Sequence, residues 1–223
     1  MTIERNIREV ERRIAGACER VGRSQDEVTL VAVTKAIAVP AIEAAFNAGI
    51  SNLGENRVQE ARPKIEQLAN LRADLTWHMV GHLQTNKAKT AVDIFDIIHS
   101  VDSVRLAETL SRRSQKKLPV LIEVNVSAEA TKTGFWLPEV DEAVRQIGRL
   151  PNIEIEGLMT IAPWVSETEK VRHVFRQLRQ LRDALGFRHL SMGMTDDFEV
   201  AIEEGATLVR IGRAIFGERI AAP

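Results

Sequence analysis

The sequence contains no tyrosine, one cysteine and no excess of either charge. Each absence narrows the chemistry. Without tyrosine, a common proton donor is missing from any acid–base mechanism. A lone Cys18 cannot close an internal disulfide, and its place on an apolar helical stripe marks a small core residue rather than a reactive thiol. With 30 Lys and Arg against 31 Asp and Glu, net charge -1, there is no basic excess for a nucleic-acid backbone or an anionic membrane. No charged start leads into an apolar run of secretory or membrane-spanning length. No Pro/Gly-rich linker, low-complexity stretch or long block of like charge divides the chain. The 223 residues therefore read as one soluble, cytoplasmic domain over residues 1–223, large enough to bury a core without disulfides or metal.

What is present is alternation. Ile3, Ile7, Val10, Ile14, Cys18 and Val21 recur at steps of three and four, one apolar stripe on a helix that Gly22 ends. Eight strand candidates follow, at Val28 to Thr34, Ile50 to Leu53, Thr76 to Val80, Ile94 to Ser100, Pro119 to Val126, Ile153 to Met159, His189 to Met192 and Thr207 to Ile211. Helical patterns begin between them near Pro40, Val58, Gln84, Ser103, Pro138, Ser166 and Asp196. Eight strands separated by single helices predict an α/β fold, a closed (β/α)8 barrel with an extra N-terminal helix; an open parallel sheet is the alternative. In such a barrel, function collects where strands run into helices, at their carboxyl ends.

The candidate residues lie at those ends. Lys35 follows the apolar run Val28 to Thr34, where a partly dry mouth favours the neutral amine that attacks an aldehyde. Locally, a strand-end lysine reaching into water remains the alternative. The loop Ser191-Met192-Gly193-Met194-Thr195 and the turn Gly212-Arg213 follow strands seven and eight, where these barrels place a phosphate. The hydroxyls of Ser191 and Thr195 and the amides around Gly193 and Gly212 suit an anion; the bland reading is tight strand-to-helix turns. Arg210 interrupts an apolar strand at inward parity with Leu208, so its guanidinium should enter the barrel and find a ring nitrogen, a carboxylate or an ion-pair partner such as Glu123. Glu123 and Asn125 share the inward face of strand five. His78 and His82 form no metal cage without further ligands. His82, Gln84 and Asn86 either face a ligand or shape the loop, and Asp196 and Asp197 read as helix-start acids.

Seven segments together resemble one family. They are VAVTK at 31–35, NLGENRVQE at 52–60, WHMVGHLQTNK at 77–87, VNVSAEATKTGF at 124–135, IEGLMTIAP at 155–163, SMGMTDD at 191–197 and VRIGRAIFGER at 209–219. The chain is similar over nearly its whole length to the pyridoxal 5′-phosphate (PLP) homeostasis proteins, relatives of the alanine racemase barrel domain. That resemblance implies a Schiff base on Lys35, Asn56 beside the pyridine ring, Ser191 with the backbone of Gly212 and Arg213 on the phosphate, and Arg210 toward the pyridine nitrogen. His82, Gly193, Met194 and Thr195 complete the expected cofactor-binding set, with no catalytic residue and no metal. Arg57 departs from the aromatic residue that many relatives carry after GEN, and the tail GERIAAP lacks their tyrosine.

The implied function is a PLP carrier in cellular PLP homeostasis, monomeric, that supplies apo PLP-dependent enzymes without conventional turnover. An amino-acid racemase is the alternative. Two-base racemisation needs a proton donor on each face, and Lys35 can serve only one. Racemizing relatives take the other from a tyrosine in a second domain, for which the barrel leaves no room; here only His82 is a substitute. A cation at Arg210 also disfavours protonation of the ring nitrogen. A Schiff-base aldolase acting on a sugar phosphate is a more distant reading.

Overall fold

The computed structural model describes residues 2–217; Glu218 and Arg219 of the last motif, and the rest of the tail, lie outside them. Helix α1, Ile3–Arg20, is capped by the Thr2 hydroxyl, which accepts the Arg5 N–H. It buries Ile7, Val10, Ile14, Ala17 and Cys18, whereas Val21, expected to continue the stripe, is exposed. Gly22 ends it at φ 68°.

All eight expected strands form. They are β1 Thr29–Val33, β2 Asn52–Glu55, β3 Thr76–Met79, β4 Ile97–Val101, β5 Leu118–Asn125, β7 Ile153–Met159, β8 His189–Ser191 and β9 Leu208–Ile211. A two-residue strand that the sequence did not reveal, β6 Phe135–Trp136, lies parallel on the end of β5. Neighbours pair in the order β4-β3-β2-β1-β9-β8-β7-β5, every pair is parallel, and β5 returns to β4 to close the ring. The open sheet is thereby ruled out. Helices α2 Val39–Asn47, α3 Val58–Gln67, α4 Ala88–Ile94, α5 Val104–Arg113, α6 Val140–Ile147, α7 Arg172–Leu185, α8 Phe198–Glu203 and α9 Arg213–Phe216 follow the strands.

Strand alternation builds two cores. Outward residues such as Leu53, Trp77, Met79 and Ile98 pack with the helices, while Val31, Ile97, Leu121, Met159 and Leu208 form a separate apolar plug inside the barrel. Above that plug the inward positions turn polar: His99 on β4, Glu123 on β5, Ser191 on β8 and Arg210 on β9, all buried. Across the outer seam, α1 locks onto the last elements. Asn6 donates to the Ile215 carbonyl at 2.8 Å, Arg13 pairs with Glu199 at 2.8 Å and lies over the Phe198 ring, and Arg20 pairs with Glu203 at 2.6 Å.

Candidate binding site at the barrel mouth

Lys35 sits on a turn that the chain would not adopt unaided. The Ile37 N–H closes it onto the Thr34 carbonyl at 2.9 Å, and Ala36, next to Lys35, takes φ 59°. A left-handed alanine costs about 1 kcal/mol, so neighbours must hold it. Helix α3 does so: Glu60 accepts the Ala36 N–H at 3.3 Å, and Lys64 donates to the Thr34 carbonyl and to Glu55 Oε1, both at 2.6 Å. The Thr34 hydroxyl also donates to Glu55 Oε1, at 2.7 Å. The second strand runs two residues beyond its expected end at Leu53, and Glu55 is its last residue. Its side chain points outward, away from the mouth, into this buried cluster.

Two adjoining hollows open at the carboxyl ends of the strands and share Val33, Gly212 and Arg213 as a common wall. One, of about 280 Å³, is also lined by Asn56, Met194, Thr195 and Arg210. The other, of about 450 Å³, is lined by Lys35, Ile37 and Phe216. These sizes match sites for small cofactors, typically ~300–1,000 Å³. Asn56 Oδ1 is buried there without a hydrogen-bond partner, an acceptor left free beside the hollow. A side chain at Gly212 would bring its Cβ to 3.1 Å from the Val33 carbonyl oxygen, a tight approach that glycine avoids on this narrow wall.

Seven of the ten sequence candidates, Lys35, Asn56, Met194, Thr195, Arg210, Gly212 and Arg213, therefore line the paired hollows. Arg213 is exposed and bonds Asp196 at 2.6 Å. Asp197 accepts the Met194 N–H at 2.6 Å, and burial pushes its carboxyl up. Three candidates do not join them. Ser191 is fully buried and lines neither hollow, its hydroxyl engaged by His99 at 2.8 Å and Arg210 at 2.5 Å. Gly193 is buried against α8: at φ 94°, an added Cβ would meet Ala201 Cβ at 2.6 Å, so close packing by itself requires this glycine. His82 pairs with Asp102 at 2.9 Å and lines, with Asn56 and Gln84, a neighbouring hollow of about 500 Å³.

Arg210 enters the barrel as its strand parity predicts. It donates to Ser191 Oγ at 2.5 Å and to the Thr160 carbonyl at 2.9 Å, and burial lowers it to about 10, still a cation at neutral pH. The alternative Arg210–Glu123 ion pair does not form: Glu123 accepts from the Thr133 hydroxyl at 2.7 Å, and burial pushes its carboxyl up. Sequence reasoning missed His99, buried within β4. Its Nδ1 lies 2.8 Å from Ser191 Oγ and its Nε2 lies 2.9 Å from His78 Nδ1, while His78 Nε2 reaches Asn52 Oδ1 at 3.0 Å. Burial depresses both imidazoles, His78 to about 4 and His99 well below its ordinary value.

Comparison with known proteins agrees with this architecture. The alanine racemase N-terminal domain family matches residues 2–220. The pyridoxal phosphate homeostasis protein of Aquifex aeolicus is 46% identical over 216 residues, 93% of this chain and 94% of the relative. That of Escherichia coli is 40% identical over 226 residues, 97% of each. Among solved structures, PipY of Synechococcus elongatus with PLP bound superposes with a TM-score of 0.80 at 36% identity, covering 92% of this chain and 100% of that one. Alanine racemase from Corynebacterium glutamicum shares the fold at a TM-score of 0.72 and 19% identity, with 99% of this chain matched to 62% of the enzyme. Carried by a profile match over nearly every residue and by relatives aligned almost end to end, the chain belongs to the alanine racemase N-terminal domain family, among the pyridoxal phosphate homeostasis proteins.

Proposed function

We propose that this chain binds PLP at the mouth of its barrel and holds it for PLP homeostasis in the cytoplasm, as a monomer, passing it to apo PLP-dependent enzymes rather than turning over a substrate. The observation that carries this reading is the shared wall of the two hollows, which sets the hollow lined by Lys35 beside the one lined by Arg210 and by Asn56 with its unpartnered Oδ1. PLP supplies an aldehyde carbon, a pyridine nitrogen and a phosphate. Lys35 would bond covalently to the aldehyde, Asn56 would pack beside the ring, and Arg210 would donate toward the nitrogen. Thr195, Arg213 and the backbone at Gly212 would hold the phosphate, with Met194 on the rim.

The chain's own residues disfavour two-base racemisation. There is no tyrosine, and His82, the one substitute, lines neither hollow. Among the described residues no helix is long and apolar enough to cross a membrane. The test is a PLP soak followed by borohydride. Mass should be fixed on Lys35 and be absent from a folded Lys35→Ala variant. Screens for racemase, decarboxylase and transaminase activity should show no multiple turnover, beside measurable transfer to an apoenzyme. A protein that stays colourless and gains no mass refutes the binding site; sustained turnover refutes the carrier role.

A further inference from the structure

Arg210 is a buried cation with no carboxylate in ion-pair range among the described residues. Such a charge must be compensated by other means. Its compensation is traceable atom by atom. A guanidinium can only donate, so Ser191 Oγ is an acceptor toward Arg210. The serine proton then has His99 Nδ1 within reach at 2.8 Å. A neutral His99 that accepts on Nδ1 carries its proton on Nε2, which donates to His78 Nδ1 at 2.9 Å. His78 is in turn protonated on Nε2 and donates to Asn52 Oδ1 at 3.0 Å. The Asn52 amide nitrogen finally donates to the exposed Ser51 hydroxyl at 3.1 Å. The reverse direction would leave the buried Ser191 proton without an acceptor.

We propose that Asn52, His78, His99 and Ser191 form a one-way hydrogen-bond chain that fixes the Arg210 guanidinium at the floor of the mouth, with His99 as the central positioning residue. Every link points away from the cation. The bond dipoles therefore add, and the positive charge is spread across the barrel from β9 to β2. The neutrality of both imidazoles at physiological pH follows from their burial. A protonated ring would lose its acceptor nitrogen and break the chain. Through Arg210 the chain sets the environment of the ring nitrogen of bound PLP, and that consequence alone rests on the function proposed above.

Two measurements test the chain, one of them without ligand. Long-range ¹H–¹⁵N spectra of the ligand-free protein should show His78 and His99 both protonated on Nε2; an Nδ1 proton on either ring overturns the assignment. In the second, His99→Leu, His99→Gln and Ser191→Ala are titrated with PLP and with inorganic phosphate. His99→Leu and Ser191→Ala should weaken PLP about tenfold, the worth of a hydrogen bond to a charged group, and shift its absorption band. Phosphate affinity should stay within about twofold, as for independent sites. His99→Gln, which can still accept and donate, should restore the band. An unmoved band, or equal losses for PLP and phosphate in Ser191→Ala, refutes the proposal and returns Ser191 to the anion site. If the wild type shows no band at all, the proposed function fails while the tautomer spectra still decide the chain. Should His99→Leu not fold, Ser191→Ala and those spectra carry the test.

Discussion

Replacing Lys64 by methionine removes the cation that supports the Lys35 turn from behind while keeping most of the side-chain volume. Glu55 is fully buried and Lys64 only 12% exposed, so the carboxylate would lose its ion partner with no water to replace it. Its second oxygen, Oε2, already lacks a partner. Breaking a buried pair from one side costs about 3–5 kcal/mol. The Thr34 hydroxyl remains on Oε1, which places the cost near about 3 kcal/mol, or roughly 6–12 °C in Tm for a chain of this size. Urea unfolding followed by circular dichroism measures it directly. The double variant Glu55→Gln with Lys64→Met should recover most of the loss, giving a coupling of about 2 kcal/mol in the cycle. A loss under about 1 kcal/mol, as for an exposed pair, or strictly additive single losses, would show that the pair is solvated and refute the reasoning.

Other outcomes follow from the same geometry. Ala36→Gly should relieve its left-handed strain and be neutral or stabilising by up to about 1 kcal/mol in urea unfolding; a clear destabilisation would mean that the turn is not strained. Gly193→Ala should cost about 2–5 kcal/mol from the positive φ and the 2.6 Å approach to Ala201, read as a lower urea midpoint; a midpoint like wild type would contradict the close packing. His78 and His99 are held neutral when folded but bind protons when unfolded below about pH 6.5, so stability should fall as pH drops from there toward 4, the folded value of His78. His78 alone contributes about 3 kcal/mol across that window, opposed near its lower end by Glu123 and Asp197, whose carboxyls burial pushes up. Unfolding curves that show flat or rising stability between pH 7 and 5 would contradict the buried neutral rings.

The strands were legible because a parallel barrel buries both faces of each one, leaving apolar runs that stand out from the helices. Their ends were less legible. β2 continues through Gly54 and Glu55, but a charge stops an apolar reading, and the partner that makes Glu55 tolerable lies on the next helix. β6 has two residues and no pattern of its own. At the site, strand parity put Arg210 and Glu123 inside correctly. The same parity puts Ser191 inside, but parity fixes the face and not the depth, so its burial beneath Arg210 was not legible. His99 also carried a signal, a lone histidine at inward parity in the apolar Ile97–Val101 strand. Its meaning depended on Ser191, which is 92 residues away, and only closure of the barrel brings the two together.

The seam between α1 and the last helices has a bearing on how the chain reaches its native state. Helix α1 is synthesised well before the elements it packs against, because its partners Glu199, Glu203 and Ile215 lie 183 to 209 residues further along the chain. At ordinary translation speed its greasy face waits on the order of ten to forty seconds for those partners to be synthesised. During that interval β1 likewise has no β9 beside it. The ring therefore closes late, which makes the newborn polypeptide a natural customer for chaperones that shield exposed amphipathic segments.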